Sequence, residues 1–527
     1  MSPPNLRPRA VPRAIGAIAS LLLAFVLVAC AGGEPPPLPR GAPGVAAAPK
    51  PGGLLAEMEG RVAKAAGVER SGFHLLDSNE DGLRWRLALA DSATHTLDLQ
   101  YYVWWGDEAG SLLMRRVLDA ADRGVKVRMI LDDLSTMLAD AASPKVRDRE
   151  IGMFNAHPNV EIRLFNPWHR RTLAGRAIET VERLERMNHR MHNKLMVADN
   201  RAAVIGGRNI GNEYFGLSED FNFRDLDVLG IGPVARQASS VFDRFWNSEW
   251  VTPSETFYDG PARVDGRQRR EIVDARLTGA TSLARFPLSR QEWRGAFDGI
   301  SRSLHFGTSQ VLTDAPRKDA LRRHMPDAMR ALFGQAEREL LITNAYVIPD
   351  DDEIAHLRAI TGRGARIRML TNSLASHDVP AVNSHYKQWR RQLVEAGVEL
   401  HEARHDAAHR AELADTAPVR SGFMGLHVKA AIVDRARVFI GSMNLDPRSK
   451  ELNSEMGVII DSRGLADALA ASMERDMHPT NAWRVTLAGD GGLRWSSDRE
   501  VLSMQPARSF WQRVQDEVFM LFPRDLY

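Results

Sequence analysis

The chain has 527 residues, 44% hydrophobic and 26% charged, which is ample for a large core and predicts two domains or two fused lobes. Its formal net charge of +2 is no strong electrostatic footprint for nucleic acid, though a near-balanced total leaves room for a local basic groove. The single cysteine, Cys30, excludes an intramolecular disulfide.

Arg7, Arg9 and Arg13 precede an apolar run, Ala14 to Ala29, that is short for a membrane span and fits the core of a signal peptide. The run ends Leu27-Val-Ala-Cys30. A cysteine in that place resembles the lipobox of bacterial lipoproteins. The resemblance makes residues 1–29 a removed leader and Cys30 the lipidated first residue, the alternative being an ordinary leader or signal anchor with an incidental cysteine. It implies a protein anchored in the bacterial cell envelope and facing the periplasm, and Ala31 fits outer-membrane sorting. Residues 30–55 are rich in Pro, Gly and Ala and read as a tether.

The body repeats itself. In the first half (56–260), Leu97 to Val103 reads as a strand, Gly110 to Asp122 as an amphipathic helix, Arg123-Gly as a helix stop and the run to Ile130 as a second strand. Val160 to Leu164 is a third strand. The polar stretches Ser135 to Pro158 and Trp168 to His189 follow their strands as long entrance loops, the second with a charged helix, Glu179 to Arg186. Then comes Met191-His-Asn-Lys-Leu-Met-Val-Ala-Asp199, followed by Val204-Ile-Gly-Gly-Arg-Asn-Ile210. A helix ending in Phe245, Trp246 and Trp250 closes this half, its aromatics read as core. Residues 261–300 read as an inter-lobe linker, with the basic run Gly266-Arg-Gln-Arg-Arg270 as a solvated helix face.

The second half (301–480) repeats the order: Glu339 to Val347, a helix through Ile354 to Thr361, then Arg363-Gly and a strand to Leu370. Tyr346-Val347 matches Tyr102-Val103, and Val398-Glu-Leu-His401 matches Val160-Glu-Ile-Arg. His401-Glu-Ala-Arg-His405 has zinc-protease spacing, but that motif needs a helix and this segment reads as a strand, so no metal is expected there. A loop, Ala403 to Ser421, leads to Leu426-His-Val-Lys-Ala-Ala-Ile-Val-Asp434 and Phe439-Ile-Gly-Ser-Met-Asn-Leu445. Residues 481–527 read as a hairpin and a final amphipathic helix, Phe510 to Leu521. The apolar stripe of that helix (Phe510, Trp511, Val514, Val518, Phe519, with Phe522) is read as packing on a lobe, membrane contact being the alternative. Alternating strands and helices give an α/β fold with a mainly parallel or mixed sheet in each lobe.

The two motifs share one plan: His-x-Lys, four residues, Asp, then a Gly-containing turn ending in Asn. On a strand, His192 and Lys194 share a face, as do His427 and Lys429. An imidazole fixed beside a cation suits a phosphodiester, the Lys offsetting phosphate charge while the His works as nucleophile, acid or base. Asn209 and Asn444 are placed to donate to phosphate oxygens. Asp199 and Asp434 belong to each catalytic motif but end apolar runs, where they brace a turn. The first turn has Gly207 where the second has Ser442, so one hydroxyl donor to phosphate is missing from the first half-site.

This duplicated pattern, with Phe223-Arg-Asp-Leu-Asp-Val-Leu229 beyond it, resembles the HKD motifs of the phospholipase D superfamily, and within it the bacterial cardiolipin synthases of the C type. The resemblance implies two lobes related by a pseudo-twofold axis, each giving half a site, so that one chain holds a complete site and is expected to act as a monomer. It implies transfer through a phosphohistidine without an obligatory cofactor or metal. It makes His192 the nucleophile and His427 the acid and then the base, although the sequence leaves those roles interchangeable. Lys194, Lys429, Asn209, Asn444 and Ser442 would hold phosphate, and Asp225 and Glu455 would orient the imidazoles through Nδ1. The implied substrates are phospholipids, phosphatidylglycerol and phosphatidylethanolamine, with an accessory protein compatible with the type. A phospholipid hydrolase and a phosphodiesterase nuclease are the rival readings. The lipid anchor disfavours a nucleic-acid substrate, and the intact His and Lys pairs disfavour a non-catalytic relative.

Overall fold

The computed structural model describes residues 37–135, 144–260, 264–316 and 321–521. The leader, Cys30, Pro261, Phe522 and Pro523 lie outside the described residues.

The first lobe's strands are β1 (Ser71–Leu76), β2 (Thr96–Tyr101), β3 (Lys126–Asp132), β4 (Val160–Phe165), β5 (Lys194–Ala198), β6 (Ala202–Gly206), β7 (Phe221–Arg224), β8 (Asp227–Ile231) and β9 (Val251–Pro253). All but β7 form a mixed sheet in the order β9-β4-β3-β2-β5-β6-β8-β1, in which β2, β3 and β4 run parallel. The second lobe starts with β10 (His305–Thr313) and a two-residue pair, β11 (Ala315–Pro316) and β12 (Leu321–Arg322). It continues with β13 (Glu339–Asn344), β14 (Arg366–Asn372), β15 (Val398–Ala403), β16 (Phe423–Leu426), β17 (Lys429–Val433), β18 (Arg437–Gly441) and β19 (Met456–Asp461). The last strands are β20 (Ala482–Leu487), β21 (Leu493–Ser496) and β22 (Val501–Leu502). The order β20-β15-β14-β13-β17-β18-β19-β10 repeats that of the first lobe, with β13, β14 and β15 parallel. The C-terminal hairpin, β20 with β21, therefore extends the second lobe's sheet.

Local chemistry repeats along with topology. The helix Glu108–Asp122 is capped by Asp107, whose side chain accepts from Gly110 N, and the matching helix Asp351–Gly362 by Asp350 in a capping box with Glu353. Both helices stop at a glycine in the left-handed region, Gly124 at φ +96° and Gly364 at φ +95°. A strand parallel to the preceding one follows each stop.

A strand pair and a shared core join the lobes away from the motifs. Strand β1 pairs antiparallel with β10, with Phe73 opposite His305. A shared core then forms where the sheets approach through the helices Pro233–Trp246 and Arg463–Asp476, mixing Val197, Ile205, Phe242 and Phe245 with Ile432, Ile440, Val458 and Leu469. Trp246 and Trp250 are buried in this core too. Burial of apolar surface from both halves ties them together at about 25 cal/mol per Å².

Three expectations are corrected. Residues 261–300 are not a linker: the helices Gly266–Leu277 and Arg294–Ser301 carry Val273, Leu277, Trp293 and Phe297 into the first lobe's own core. The tether is held over part of its length, since Gly44 and Ala46 donate backbone N–H groups to Asn247 and Asp243, and Arg163 donates to the Ala42 carbonyl. The final helix, Phe510–Phe519, packs through polar residues: Gln512 and Asp516 are buried, on the Leu374 carbonyl and on Asn383 and Lys387. Its Phe510 and Trp511 remain 73% and 72% exposed.

Candidate active site

The motif histidines precede their strands rather than sitting on them, because β5 begins at Lys194 and β17 at Lys429. Just before each strand the chain crosses to the other lobe. Strand β16 pairs parallel with β7, which brings Leu426-His427 alongside Arg224-Asp225, and the His427 N–H donates to the Arg224 carbonyl at 2.8 Å. On the other side Met191 bridges Ser454, and the His192 N–H donates to the Ser454 carbonyl at 2.9 Å.

This crossing pairs each imidazole with a carboxylate from the opposite half. His192 Nδ1 lies 2.9 and 3.0 Å from the two Glu455 oxygens, and His427 Nδ1 lies 2.6 Å from Asp225 Oδ2. Asp225 and Glu455 were legible as orienting residues, but their partners were not: Glu455 lies near His427 in sequence and serves His192 in space. With Nδ1 engaged, Nε2 is the free nitrogen of each ring, and no described residue hydrogen-bonds it.

The two half-sites differ electrostatically. Burial works against ionising Asp225, but the charge of His427, its hydrogen bond and Lys429 more than offset that and hold the carboxyl below its usual value. Burial pushes Glu455 up to about 7, despite Lys194 and the hydroxyl of Ser442, which donates to it at 2.5 Å. His427 thus faces an ionised carboxylate and His192 one near half-protonation. Burial, then Lys194, Lys429 and the other imidazole hold His192 well below the ordinary histidine value. His427 is lowered as well, by burial and Lys429, with Asp225 opposing. A proton shared between the rings therefore prefers His427.

Lys194 and Lys429 are fully buried, and each donates to the carbonyl of its own motif histidine. Burial lowers both, Lys429 to about 8. Their ammonium groups lie 5.2 Å from the Tyr102 ring and 5.8 Å from the Tyr346 ring. The Tyr102 ring also meets His192 edge-on at 5.0 Å, while Tyr214 and Phe223 pack on His427 at 5.3 and 4.9 Å. Sequence reasoning missed these aromatic walls as site residues; for Tyr102 and Tyr346 the Tyr-Val pairs repeated in both halves were the signal.

The remaining expected site residues divide. Asn444 is buried beside its motif, and its side-chain oxygen has no partner among the described residues. Asn209 is already engaged: its amide donates to the Tyr214 hydroxyl at 3.0 Å and its oxygen accepts from Val103 N at 3.2 Å. Ser442 is corrected from a phosphate ligand to a support for Glu455 and the Met456 backbone. Gly207 is no lost donor either, since a Cβ there would meet Asp225 Oδ1 at 2.3 Å.

Asp199 and Asp434 are corrected out of the catalytic set. Each lies five positions after its lysine at the far end of a strand, about 16 Å of extended chain. Asp199 accepts from the backbone of Thr94, His95 and Thr96, and Asp434 from Glu337, Arg338 and Glu339. Both hold tight turns at positive φ, 52° and 51°.

The zinc-like segment begins on β15, where His401 and Glu402 point to opposite faces, and His405 lies beyond the strand's end. Glu402 is committed to Arg390, Tyr386 and Trp495.

Comparison with known proteins matches this architecture. The family model described as "Cardiolipin synthase, PLD-like domain" matches residues 87–246 and 329–477, one copy in each lobe. Cardiolipin synthase C of Escherichia coli is 34% identical over 86% of this chain and 95% of the relative. Cardiolipin synthase B of the same organism is 25% identical over 85% of this chain and 90% of the relative. The crystal structure of phosphatidylserine synthase from Haemophilus influenzae has the same fold, with a TM-score of 0.54 and 14% identity over 80% of this chain and 90% of that one. The chain belongs to the cardiolipin synthase family of phospholipase D-like proteins.

Proposed function

We propose that this enzyme makes cardiolipin by moving a phosphatidyl group onto phosphatidylglycerol from a second phospholipid, phosphatidylglycerol or phosphatidylethanolamine. The observation that carries this reading is the crossed pairing, His192 with Glu455 and His427 with Asp225, beside two buried ammonium groups.

In the first half-reaction His192 Nε2 attacks phosphorus and the bond to the leaving headgroup oxygen breaks. His427 gives that oxygen its proton. In the second, the primary hydroxyl of phosphatidylglycerol attacks the phosphohistidine, His427 takes its proton, and the N–P bond breaks to free His192. The incoming phosphodiester anion raises both imidazoles, and Asp225 favours His427 as the one that carries the charge. Lys194 and Lys429 balance charge on the phosphate oxygens as the transition state forms, with the Asn444 amide beside them.

Lipid on both sides of the exchange supports a place for the enzyme at a membrane. Lipidation of Cys30 would supply the anchor in the cell envelope, and the exposed Phe510 and Trp511 of the C-terminal helix, with Leu521 just after it, supply an apolar contact. Among the described residues no helix is long and apolar enough to cross a membrane.

The test is to incubate detergent-solubilised protein with labelled phosphatidylglycerol, with and without phosphatidylethanolamine, beside a His192→Ala control. Cardiolipin formed only by the wild type supports the proposal. Phosphatidic acid as the sole product would make the protein a hydrolase, and cleavage of a plasmid in place of lipid would make it a nuclease.

A further inference from the structure

Condensing two phospholipids brings two phosphate anions to one site. The lysine pair serves the phosphate that reacts. The acceptor's own phosphate needs a separate cation, within one headgroup's reach of His192.

A pocket of about 510 Å³ opens next to the first motif, lined by Trp168, Leu173, Met187, Arg176, Arg190 and Arg448 among others, with no carboxylate among its described lining residues. Arg190 stands two residues before His192, and its guanidinium stacks 4.1 Å over the Trp168 ring. Its contacts to Asp132 and the Asn166 carbonyl are long, 3.4 and 3.3 Å. Arg448 enters from the second lobe, on the short helix Pro447–Glu451, and its one described side-chain hydrogen bond is a 3.4 Å contact to the Asn188 carbonyl. Asp446, two residues before it, caps that helix through the Ser449 N–H. Arg448 is also near enough to His192 for its charge to act on that imidazole.

The other wall is mostly apolar, Trp168, Leu173, Ala177 and Met187, with Arg176 and Thr180 among them. Trp168 and Met187 are buried in it, Leu173 is an exposed apolar residue of the same lining, and Val181, later on the Leu173 helix, and Leu184, just after it, are exposed and apolar as well. A cationic floor with an apolar exit fits an anionic amphiphile.

We propose that this pocket binds the phosphodiester of the acceptor phosphatidylglycerol, with Arg448 and Arg190 on its phosphate and its acyl chains leaving past Trp168 and Leu173. This rests on the function proposed above and names the acceptor's place in it. The acceptor's free primary hydroxyl then reaches toward His192 while its phosphate stays on the arginines.

The test compares two acceptors in one transfer assay, phosphatidylglycerol and a monoacylglycerol, which has a primary hydroxyl and an acyl chain but no phosphate. Arg448→Gln should raise KM for phosphatidylglycerol relative to monoacylglycerol by about 10- to 100-fold, the loss expected for a hydrogen bond to a charged group. Arg448→Lys should recover part of it. Ala177→Glu, a change at an exposed helical position lining the pocket, should move the same ratio in the same direction. A ratio within about twofold of wild type in both Arg448→Gln and Ala177→Glu would overturn the proposal, being below the effect of losing one such bond. Binding of water-soluble dihexanoyl-phosphatidylglycerol to the His192→Ala protein separates this inference from the reading it rests on. If the wild type makes no cardiolipin, weaker binding on adding Arg448→Gln still supports the anion site, and unchanged binding overturns it.

Discussion

Replacing Lys429 with methionine should stabilise the fold while removing activity. The ammonium is fully buried, and its value falls from 10.5 to about 8 because burial disfavours its charge. At about 1.36 kcal/mol per pKa unit, the charged lysine costs the folded state about 3 kcal/mol at neutral pH. Methionine removes that cost but leaves the His427 carbonyl without its donor, which takes back about 1 kcal/mol or more. The net gain is about 2 kcal/mol. Unfolding entropy near 2.1 cal/mol/K per residue puts the rise in Tm at about 2 °C for a chain of this length.

The pH dependence is the sharper assay. The folded pKa is depressed, so the unfolded chain binds the extra proton between about 8 and 10.5, and wild-type stability rises with pH across that window. Calorimetric scans at pH 7 and pH 10 should show the variant's advantage shrinking at the higher pH. A variant less stable than wild type at pH 7, or an advantage that does not change with pH, would refute the reasoning. In the active enzyme, loss of the Lys429 proton should lower kcat/KM above about pH 8, and Lys429→Arg should carry any remaining activity to higher pH.

Three further outcomes follow from the site. Asp225→Asn should lower kcat by about 10²- to 10⁴-fold, the usual range for general acid–base catalysis, and Glu455→Gln by less, because Glu455 is already near half-protonation; steady-state transfer rates of the two variants check the order. Asp199→Ala should cost about 1–3 kcal/mol in denaturant unfolding, through the unpaired amides of Thr94 to Thr96, and leave kcat within about threefold. Gly207→Ala should displace the Asp225 carboxylate and lower kcat with little change in KM, whereas an Ala at exposed Gly60, where a Cβ meets nothing within 4 Å, should not.

Much of the architecture was legible because it is written twice. The helix stops at Gly124 and Gly364 and the matching strands around them fix the order of each sheet. The pairing across the lobes was not legible, since nothing local distinguishes Glu455 bound to His427 from Glu455 bound to His192. The C-terminal helix shows another limit. Its apolar stripe is plain in the sequence, but periodicity cannot tell whether that stripe or the Gln512–Asp516 face is the one that packs. The segment 261–300 misled through its charge: Arg267, Arg269 and Arg270 hide the apolar spacing of Val273 and Leu277 that joins the first lobe. The charged helix expected over Glu179 to Arg186 breaks at Arg183, where φ is −133°.

The most direct test of the central claim is to look for the covalent intermediate and find which lobe carries it. A phosphatidyl ester with a p-nitrophenol leaving group needs no proton from an acid, so His427→Asn protein should still be loaded and then stall before release. Mass spectrometry of the protein, quenched and digested at neutral to alkaline pH to spare a phosphohistidine, locates the adduct. The account predicts a phosphatidyl group on the peptide containing His192. An adduct in a His192→Asn protein on His427, with none on His192 in the His427→Asn protein, would reverse the roles assigned to the two lobes and contradict it.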